Sequence, residues 1–198
     1  TLNILVTAKD TNVKKVVYSS SSSYYGNSII PHHEGMLPNP LNPYALSKYV
    51  GEQYCELWTK LYGLPTISLR YFNVYGLRQP KEGPYALVLG IFLKQNKEGH
   101  PLTIHGDGSQ RRDFIHVRDV VEANISAYNS SASGMVLNVG SGTNLSVNEL
   151  ADLISEKKVY EARRQGDADE TLADISKIQR VLGWMPKVSF EEGLKDLM

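Results

Sequence analysis

Residues 42–63 read NPYALSKYVGEQYCELWTKLYG and stand between two short runs, VKKVVY at residues 13–18 and PTISLRYFNV at residues 65–74. The asparagine and proline that open the stretch and the glycine that closes it predict a helix over residues 44–62. Both flanking runs contain β-branched and aromatic residues, which is typical of buried strands. A helix between two strands forms a βαβ unit, so this part of the chain predicts a parallel sheet.

The predicted helix carries two different faces. At about 100° per residue, one apolar stripe is made of Leu46, Val50, Tyr54, Leu57 and Leu61. Another face carries Tyr44, Lys48, Gly51 and Cys55. A helix that is apolar over much of its circumference needs cover on more than one side. We therefore expect one side to pack on the sheet and another on a partner helix.

The rest of the chain continues to alternate helical and strand patterns. Helices are predicted at residues 85–97 and 119–128 and after capping motifs that begin at Ser146 and Ser189, and a strand at residues 135–139. A helix is also predicted at the start of the chain, and because no capping residue precedes it, we expect it to begin before Thr1. The run PLTIHGDGSQRRDFIHV has two apolar segments around Asp107-Gly108, which is a hairpin signal. This alternation places the chain in the α/β class.

The charges of the chain balance. Its 198 residues include 21 basic and 21 acidic ones, for a formal net charge of zero. The chain thus lacks the basic excess that favours nucleic acid or an anionic membrane surface, and it has no apolar stretch long enough to span a bilayer. Cys55 is the only cysteine, which excludes an internal disulfide and a zinc cluster. We expect no nucleic-acid or membrane partner, no metal site, and a reducing, cytoplasmic setting.

Tyr44 and Lys48 are neighbours on the predicted helix because they are four residues apart. A phenol has a pKa near ~10 in water, and lowering it to ~7 requires about 4 kcal/mol of preferential stabilisation of the phenolate. One ammonium group at ~4 Å, with an effective dielectric constant of ~20, supplies about that much. The pair is therefore a candidate general base for removing a proton from a hydroxyl group. The same spacing also fits an ordinary aromatic–lysine packing pair.

The run SSSSSYYG at residues 19–26 follows a predicted buried strand. Ligands of open α/β sheets bind beyond the carboxyl ends of the strands. Hydroxyl groups at that place both donate and accept hydrogen bonds, which suits a proton relay. A flexible serine-rich linker is the alternative interpretation. The sequence has no G-x-S-x-G motif, so it does not favour a serine hydrolase.

Five stretches follow one another along nearly the whole chain: VVYSSSSSYYG, PYALSK, SLRYFNVYG, RRDFIHVRDV and RQGDADETLADISK. Together they resemble the extended short-chain dehydrogenase/reductase family, and within it the NAD-dependent epimerases and dehydratases, most of all the UDP-glucose and UDP-N-acetylglucosamine 4-epimerases. The resemblance implies the C-terminal portion of a Rossmann-like, doubly wound parallel sheet with a smaller α/β substrate-binding domain. Residues 1–76 and about 114–140 would belong to the NAD-binding domain, and residues 77–113 and 141–198 to the nucleotide-sugar-binding domain.

The resemblance also implies residue roles. The catalytic residues would be Ser21, Tyr44 and Lys48. NAD would contact Ser19, Tyr44, Lys48 and Tyr71. The UDP-sugar substrate would contact Ser21, Asn73, Val88, Thr103, His105, Arg112, Arg164, Asp167 and Thr171. Two arginines suit a diphosphate because each offers a planar fork of donors, although either one alone equally fits a solvated surface residue.

The implied reaction is 4-epimerisation of a UDP-hexose. The Tyr44 phenolate, helped by Ser21, would take the proton of the 4-hydroxyl group while NAD oxidises C4. The resulting 4-keto sugar would turn over and be reduced on its other face. Since Thr171 is small where the family narrows the sugar pocket with a bulky residue, N-acetylated sugars are expected to be accepted too.

Two alternatives remain open from the sequence. The first is a 4,6-dehydratase or decarboxylase of the same family. Those enzymes carry a glutamate three residues before the glycine, where this chain has Ser23, and this difference favours the epimerase. The second is a non-catalytic NAD-binding scaffold or sensor, against which the retention of serine, tyrosine and lysine together argues.

The chain departs from the family pattern at one place. It contains no G-x-x-G-x-x-G phosphate loop. We therefore expect it to be the C-terminal two thirds of a longer enzyme, and not to bind NAD or turn over alone. The resemblance further implies a homodimer, in which the helix at residues 44–62 and the one containing Leu2 form an intermolecular four-helix bundle.

Overall fold

The computed structural model describes residues 1–83, 86–163 and 165–198. Its helices are α1 Leu2–Asp10, α2 Pro43–Tyr62, α3 Val88–Lys97, α4 Val117–Asn129, α5 Val147–Asp152, α6 Ser176–Leu182 and α7 Phe190–Lys195. Its strands are β1 Val16–Ser21, β2 Thr66–Tyr71, β3 Asn73–Tyr75, β4 Leu102–His105, β5 Arg111–Arg112, β6 Phe114–His116, β7 Met135–Val139, β8 Leu145–Ser146 and β9 Lys158–Glu161. A 3-10 turn spans Ser22–Tyr24.

A parallel sheet with the strand order β1-β2-β7 forms the centre of the fold. Its register places Ser20 beside Arg70 and Arg70 beside Asn138. Helix α2 connects β1 to β2, which confirms the predicted βαβ unit. The α/β class and the parallel sheet are therefore confirmed.

The predicted first strand ran from Val13 to Tyr18. Strand β1, at Val16–Ser21, begins and ends three residues later. Ser19, Ser20 and Ser21 are strand residues, and Ser21 pairs in register with Tyr71 of β2. Serine has no particular preference for strands. The three serines are nevertheless part of β1 because their backbones pair with residues 69–71 of β2. The prediction that the serine run begins beyond the strand was wrong for its first three residues.

Helix α2 has the predicted ends. The Asn42 side chain accepts a hydrogen bond from the backbone N–H of Ala45 at 2.9 Å, and Gly63 closes the helix with φ of +68°. A β-carbon at Gly51 would lie 2.0 Å from the Tyr18 hydroxyl oxygen, so glycine lets α2 approach β1 closely. The opposite face of α2 is open to solvent. Its stripe residues Leu46, Val50, Leu57 and Leu61 are 50%, 39%, 46% and 67% exposed.

The predicted strand at residues 65–74 is two strands. The chain leaves the central sheet at Phe72, and β3 then pairs in parallel with β6. The backbone N–H of Phe72 still bonds to the oxygen of Val139 at 3.0 Å, whereas that of Asn73 bonds to Asp113 at 2.9 Å. This step carries Asn73 out of the sheet and towards the second half of the molecule.

The predicted hairpin around Asp107-Gly108 was wrong. Strand β4 pairs in parallel with β9, and β5 pairs in antiparallel with β8, so the two flanking segments do not pair with each other. The turn is instead held by Asn148, whose side-chain N–H donates to the oxygen of Asp107 at 2.9 Å. Partners distant in the sequence therefore override the local turn signal.

Helices α3, α4, α5 and α7 occur where the sequence indicates them. The capping box is confirmed, because the Ser146 hydroxyl accepts from the N–H of Glu149 at 3.0 Å and Glu149 accepts from the N–H of Ser146 at 2.7 Å. Ser189 caps α7 by accepting from the N–H of Glu192 at 3.2 Å. The predicted third helix begins at Val88; its proposed first residue, Tyr85, lies outside the described residues.

Two large apolar clusters lie in different parts of the fold. One surrounds Leu69 and Leu137 of the central sheet and includes Ile178 and Trp184. The other joins Phe92 of α3 to β4, β6 and α5. The division into two domains at the predicted boundaries stays a prediction. Within the described part of the chain, no helix is both long and apolar enough to cross a membrane.

Candidate active site

A cavity of about 700 Å³ opens at the carboxyl ends of β1 and β2. Its lining includes five residues that the sequence singled out for catalysis or cofactor binding: Ser19, Ser21, Tyr44, Lys48 and Tyr71. They come from two strands and one helix, and the parallel sheet brings them together because its strand ends meet at one edge. The serine run is therefore part of a cleft and not a flexible linker.

Lys48 joins helix α2 to strand β1 at this edge. Its Nζ atom donates a hydrogen bond to the backbone oxygen of Ser19 at 2.9 Å. The same Nζ atom lies 5.7 Å from the ring centroid of Tyr44 and 5.7 Å from that of Tyr18. Tyr44 is 50% exposed, at the mouth of the cavity. An ammonium group beside a solvent-accessible phenol is an arrangement suited to proton transfer.

Ser21 is oriented by its neighbour Ser23. The Ser21 hydroxyl oxygen accepts hydrogen bonds from the backbone N–H of Ser23 at 3.2 Å and from the Ser23 hydroxyl at 2.9 Å. A hydroxyl oxygen has two acceptor sites and one proton to donate. Because both acceptor sites are engaged, the proton of Ser21 is the part that remains for a bound molecule.

A chain of hydroxyls runs from Ser19 to helix α4. The Tyr71 hydroxyl donates to the side-chain oxygen of Asn124 at 2.8 Å, and it lies 3.3 Å from the Ser19 hydroxyl. Since the single proton of Tyr71 is used on Asn124, Ser19 donates to Tyr71. Asn124 itself donates to the backbone oxygen of Val120 at 2.7 Å. The sequence interpretation missed Asn124, which lies in the interior of α4 with no motif to mark it.

The predicted substrate residues line two adjoining cavities. Asn73, Arg112, Asp167 and Thr171 share the larger cavity with Ser21. Val88, Thr103 and His105 line a second cavity of about 440 Å³. Asn73, Arg112 and Asp167 belong to both cavities, so the two form one elongated cleft. The prediction for Arg164 falls outside the described residues.

Arg112 lies where the two cavities meet. Its guanidinium donates to the backbone oxygens of Arg111 at 2.9 Å and Asp169 at 3.4 Å. Burial lowers its pKa, yet an arginine remains cationic at neutral pH. Its hydrogen-bond partners are neutral carbonyl groups, and the nearby carboxylates of Asp167 and Asp169 favour its charged form, so this part of the cleft carries a cation.

Asp113 fixes the segment that carries Thr171. Its buried carboxylate accepts from the N–H groups of Ser141, Gly142 and Ala173 at 2.7, 3.1 and 3.0 Å. Burial raises the pKa of this carboxyl, and the donors counteract that effect. The Thr171 hydroxyl accepts from the backbone N–H of Asp113 at 3.1 Å and faces the Asn73 amide at 3.4 Å. The sequence interpretation did not assign Asp113 a role.

A buried ion pair lies beneath the serine run. Arg70 donates to the two carboxylate oxygens of Glu52 at 2.9 and 2.7 Å, and both side chains are almost fully buried. The Ser20 hydroxyl also donates to Glu52. On the other side, Arg70 donates to the Tyr25 hydroxyl at 2.9 Å, and Tyr25 donates to Asn138 at 2.7 Å. The arginine inside the strand pattern SLRYF was the sequence signal that could have indicated this network.

The fold and the site together define a class: a Rossmann-like α/β protein with serine, tyrosine and lysine converging at the ends of its parallel strands. The model of the NAD dependent epimerase/dehydratase family matches residues 1–140. The chain belongs to this family. NAD is the family's cofactor, and homologous structures have been solved with it bound.

Several known proteins are similar to the chain. A Methanocaldococcus jannaschii protein with the provisional name UDP-glucose 4-epimerase is 40% identical over 203 residues, which cover 98% of this chain and 65% of that protein. The UDP-glucose 4-epimerase of Thermotoga maritima, solved with UDP-glucose, is 38% identical with a TM-score of 0.94, over 99% of this chain and 66% of that one. The UDP-N-acetylglucosamine 4-epimerase of Methanobrevibacter ruminantium, in complex with UDP-N-acetylmuramic acid, is 37% identical with a TM-score of 0.93, over 99% and 65%.

The similarity fixes the family but not the reaction. Nucleotide-sugar decarboxylases and dehydratases are also found among the relatives at 30–40% identity. The chain spans less than two thirds of the length of curated relatives that it matches.

The described residues fit one end of NAD. Lys48, Ser19, Tyr71 and Tyr44 line the cavity at the strand ends, and a hydroxyl-lined cavity with one ammonium group would suit the polar ribose of NAD. The sequence holds no G-x-x-G-x-x-G loop for the pyrophosphate. The lining thus fits a ribose of NAD.

Proposed function

We propose that the protein containing this chain catalyses NAD-dependent 4-epimerisation of a UDP-hexose, such as UDP-glucose and UDP-galactose. The observation that carries the proposal is the convergence of Ser21, Tyr44 and Lys48 at one end of an elongated cleft that has Arg112 at its middle. The reacting hydroxyl group would lie at the first end, the diphosphate at Arg112, and the uridine towards Thr103 and His105.

Tyr44, Lys48 and Ser21 have different roles in the transfer of the proton. Tyr44 as phenolate takes the proton of the 4-hydroxyl group, and the adjacent ammonium of Lys48 stabilises the negative charge. The proton of Ser21, kept free by Ser23, donates to the same substrate oxygen and holds it in place. Bound NAD supplies reversible oxidation and reduction at C4. When the 4-keto sugar has turned over, Tyr44 returns the proton to its oxygen.

Substrate binding relies on the middle of the cleft. The Arg112 guanidinium offers a planar fork of donors to a phosphate, and Asn73 lines both cavities with it. Arg112 is half-buried, and displacement of solvent around it by a ligand would strengthen such an interaction.

The dehydratase or decarboxylase alternative needs an additional acid near the reacting carbons. At the position where those relatives carry glutamate, Ser23 is already used in orienting Ser21. Among the described residues that line the larger cavity, Asp167 is the only carboxylate, and it belongs to the part shared with the second cavity. Both observations support the epimerase.

The proposed assembly is a homodimer. Helix α2, which carries the exposed stripe, contacts α1, where Leu2, Ile4 and Val6 are also exposed, at 41%, 67% and 40%. Two neighbouring helices with open apolar faces favour a four-helix bundle between two copies. We expect a dimeric mass for the complete protein by light scattering, and Leu57→Glu should shift it towards the monomer. A monomeric wild type contradicts this part of the proposal.

The proposed function is tested with Tyr44→Phe in the complete protein that contains this chain. The variant should lower kcat for interconversion of UDP-glucose and UDP-galactose by at least ~100-fold, because the general base is removed. Tyr62→Phe is the matched control, since Tyr62 is an exposed tyrosine at the far end of the same helix and should leave kcat unchanged.

The outcomes separate the candidate functions. If the Tyr44→Phe variant has the same kcat as the wild type, Tyr44 is not part of the mechanism. Formation of a 4-keto-6-deoxy sugar from UDP-glucose supports the dehydratase, and release of CO₂ from UDP-glucuronic acid supports the decarboxylase. A wild type that binds NAD but turns over no nucleotide sugar supports the scaffold or sensor.

A further inference from the structure

The buried ion pair of Glu52 and Arg70 lies outside the cleft, but it touches both elements that carry the catalytic residues. Glu52 is on α2, four residues after Lys48 and eight after Tyr44, so the three share one face of the helix. Arg70 is on β2 and lies beside Ser20 in the register of the sheet. The pair thus joins the helix of the proposed base to β2, the strand next to the one that carries Ser21.

The link to Ser21 is short. The Ser20 hydroxyl donates to the same oxygen of Glu52 that the Nε of Arg70 contacts at 2.9 Å. Ser20 is the residue immediately before Ser21, and it is buried. Any movement of the Glu52 carboxylate along the sheet therefore moves the strand end on which Ser21 lies.

Arg70 also holds the turn that follows the serines. Its guanidinium carbon lies 3.4 Å from the ring centroid of Tyr24, and its NH1 group donates to Tyr25 at 2.9 Å. Tyr24 ends the 3-10 turn that contains Ser23. Arg70 therefore packs against the turn that contains Ser23. The hydroxyl of Ser23 is the one that bonds to the hydroxyl of Ser21 in the cleft.

Packing alone does not require charged residues at this place. Helix α2 is also joined to β2 at the far end of the strand, where the Thr66 hydroxyl donates to the backbone oxygen of Cys55 at 2.9 Å. Apolar side chains would cover the sheet as well, since buried ion pairs replaced by apolar residues often leave a protein equally stable. A fork of donors on a carboxylate differs from an apolar contact in that it fixes distance and angle.

We propose that Glu52 is a positioning residue, which through Ser20 and Arg70 sets the distance between the Tyr44 phenol and the Ser21 hydroxyl. This inference rests on the proposed function for its kinetic consequences. The pair is neutral as a whole and lies outside the cleft, so we expect its effect on Tyr44 and Ser21 to be mainly geometric. A displacement of about 1 Å at a reacting group is enough to lower a rate by ~100-fold.

The first test is Ser20→Ala in the complete protein, with Thr66→Val as the matched control. Both variants remove one buried hydroxyl that connects the sheet to α2, but only Ser20 is close to the cleft. Ser20→Ala should lower kcat by at least ~10-fold, with KM for the UDP-sugar and the midpoint of the pH–rate profile unchanged. Thr66→Val should leave kcat unchanged. A kcat of Ser20→Ala within twofold of wild type, or an equal loss in Thr66→Val, overturns the inference.

A second test replaces the whole pair by apolar residues, in Glu52→Leu/Arg70→Met. If the Glu52–Arg70 pair has a purely structural role, a double variant with the Tm of wild type should also have the kcat of wild type. The positioning role predicts that kcat stays at least ~100-fold low even when Tm is restored. A variant with restored Tm and wild-type kcat overturns the inference. If this variant does not fold, Ser20→Ala decides.

Hydrogen exchange gives a readout that does not depend on activity. Backbone N–H groups of residues 21–24 should exchange faster in Ser20→Ala than in wild type or Thr66→Val, because the strand end is less constrained. Unchanged exchange overturns the positioning role. Absence of epimerase activity in the wild type overturns the proposed function instead, and the exchange experiment then still decides whether Glu52 positions the serine segment.

Discussion

The Nζ atom of Lys48 lies 2.9 Å from the backbone oxygen of Ser19. This hydrogen bond holds the ammonium group between the strand that leads to Ser21 and the ring of Tyr44. The backbone oxygen accepts one of the three protons of the ammonium group, so two remain for a phenolate and a bound ligand. The lysine is thus oriented before any ligand arrives.

Replacing Lys48 by methionine should abolish this orientation and the positive charge. We expect kcat to fall by at least ~100-fold, while the free energy of unfolding changes by only about 1 kcal/mol, because one partly exposed hydrogen bond is lost. Lys60→Met is the control, since Lys60 pairs with Glu56 on the solvent side of the same helix. Steady-state kinetics and urea unfolding measure both effects. More than a third of wild-type kcat in Lys48→Met contradicts the proposed role.

Ser21 and Ser23 should differ in their importance for catalysis. Ser21→Ala removes the donor to the substrate oxygen, and kcat should fall by about 10²–10⁴-fold. Ser23→Ala removes only a hydrogen bond that orients Ser21 at 2.9 Å, and a fall of about 10-fold is expected. The measurement is kcat for both variants at saturating substrate. The order of the two effects is the critical result, and a larger loss in Ser23→Ala assigns the direct contact to Ser23.

The sugar pocket should accept an N-acetyl group. Thr171 is small and its hydroxyl is held by the N–H of Asp113 at 3.1 Å, so it leaves room in the larger cavity. We expect the wild-type protein to use both UDP-glucose and UDP-N-acetylglucosamine, as measured by the ratio of their kcat/KM values. A preference for the plain sugar above about a thousandfold, or ~4 kcal/mol, contradicts this expectation.

The Glu52–Arg70 pair should show strong coupling in stability. Glu52→Leu alone leaves a buried guanidinium without its carboxylate and should lower the free energy of unfolding by about 3–5 kcal/mol. Arg70→Met alone should do the same. The double variant should lie within about 1–2 kcal/mol of wild type, since the uncompensated charge is gone. Denaturant titrations of the four proteins form a double-mutant cycle, and additive effects of the two substitutions rule out the coupling.

Stability should also depend on pH through His32. This residue is fully buried, stacks on Tyr25 at 4.7 Å between ring centroids, and has a pKa lowered by burial. The unfolded chain therefore binds a proton more tightly than the folded one. The contribution of His32 to stability is complete above the ordinary pKa of ~6.5 and is lost as the pH falls from there through the folded-state value.

The test compares unfolding free energies at pH 7.5 and pH 5.5, chosen to lie on either side of ~6.5. His32→Phe keeps the stacking and should flatten the pH dependence, whereas His33→Gln, at an exposed neighbouring position, should not. His116 also has a pKa lowered by burial, so part of the slope remains in His32→Phe. An equal slope in wild type and His32→Phe contradicts the role of His32.

Much of the fold followed from local signals. The caps of α2, the capping box at Ser146 and the strand at Met135–Val139 depend on neighbouring residues, and each occurs where it was predicted. The motifs likewise identified a serine, a tyrosine and a lysine that the fold brings to one cavity. Capping interactions and the apolar periodicity of a single helix or strand involve only neighbouring residues. The sequence by itself is therefore sufficient to predict them.

Tertiary structure decided the features that depend on distant partners. β1 extends through Ser21 because β2 continues beside it, and β4 pairs with β9 instead of forming a hairpin. Sheet pairing joins residues far apart in the chain, so a turn signal cannot specify it.

The same holds for the parts of the site that carry no motif. Glu52 and Arg70 are 18 positions apart, and their contact exists only because α2 crosses over the sheet. Asn124 reaches Tyr71 across 53 positions. A buried polar group must find a partner when water is excluded. Which partner it finds depends on the packing of the helices on the sheet, and this is the information that the sequence alone does not contain.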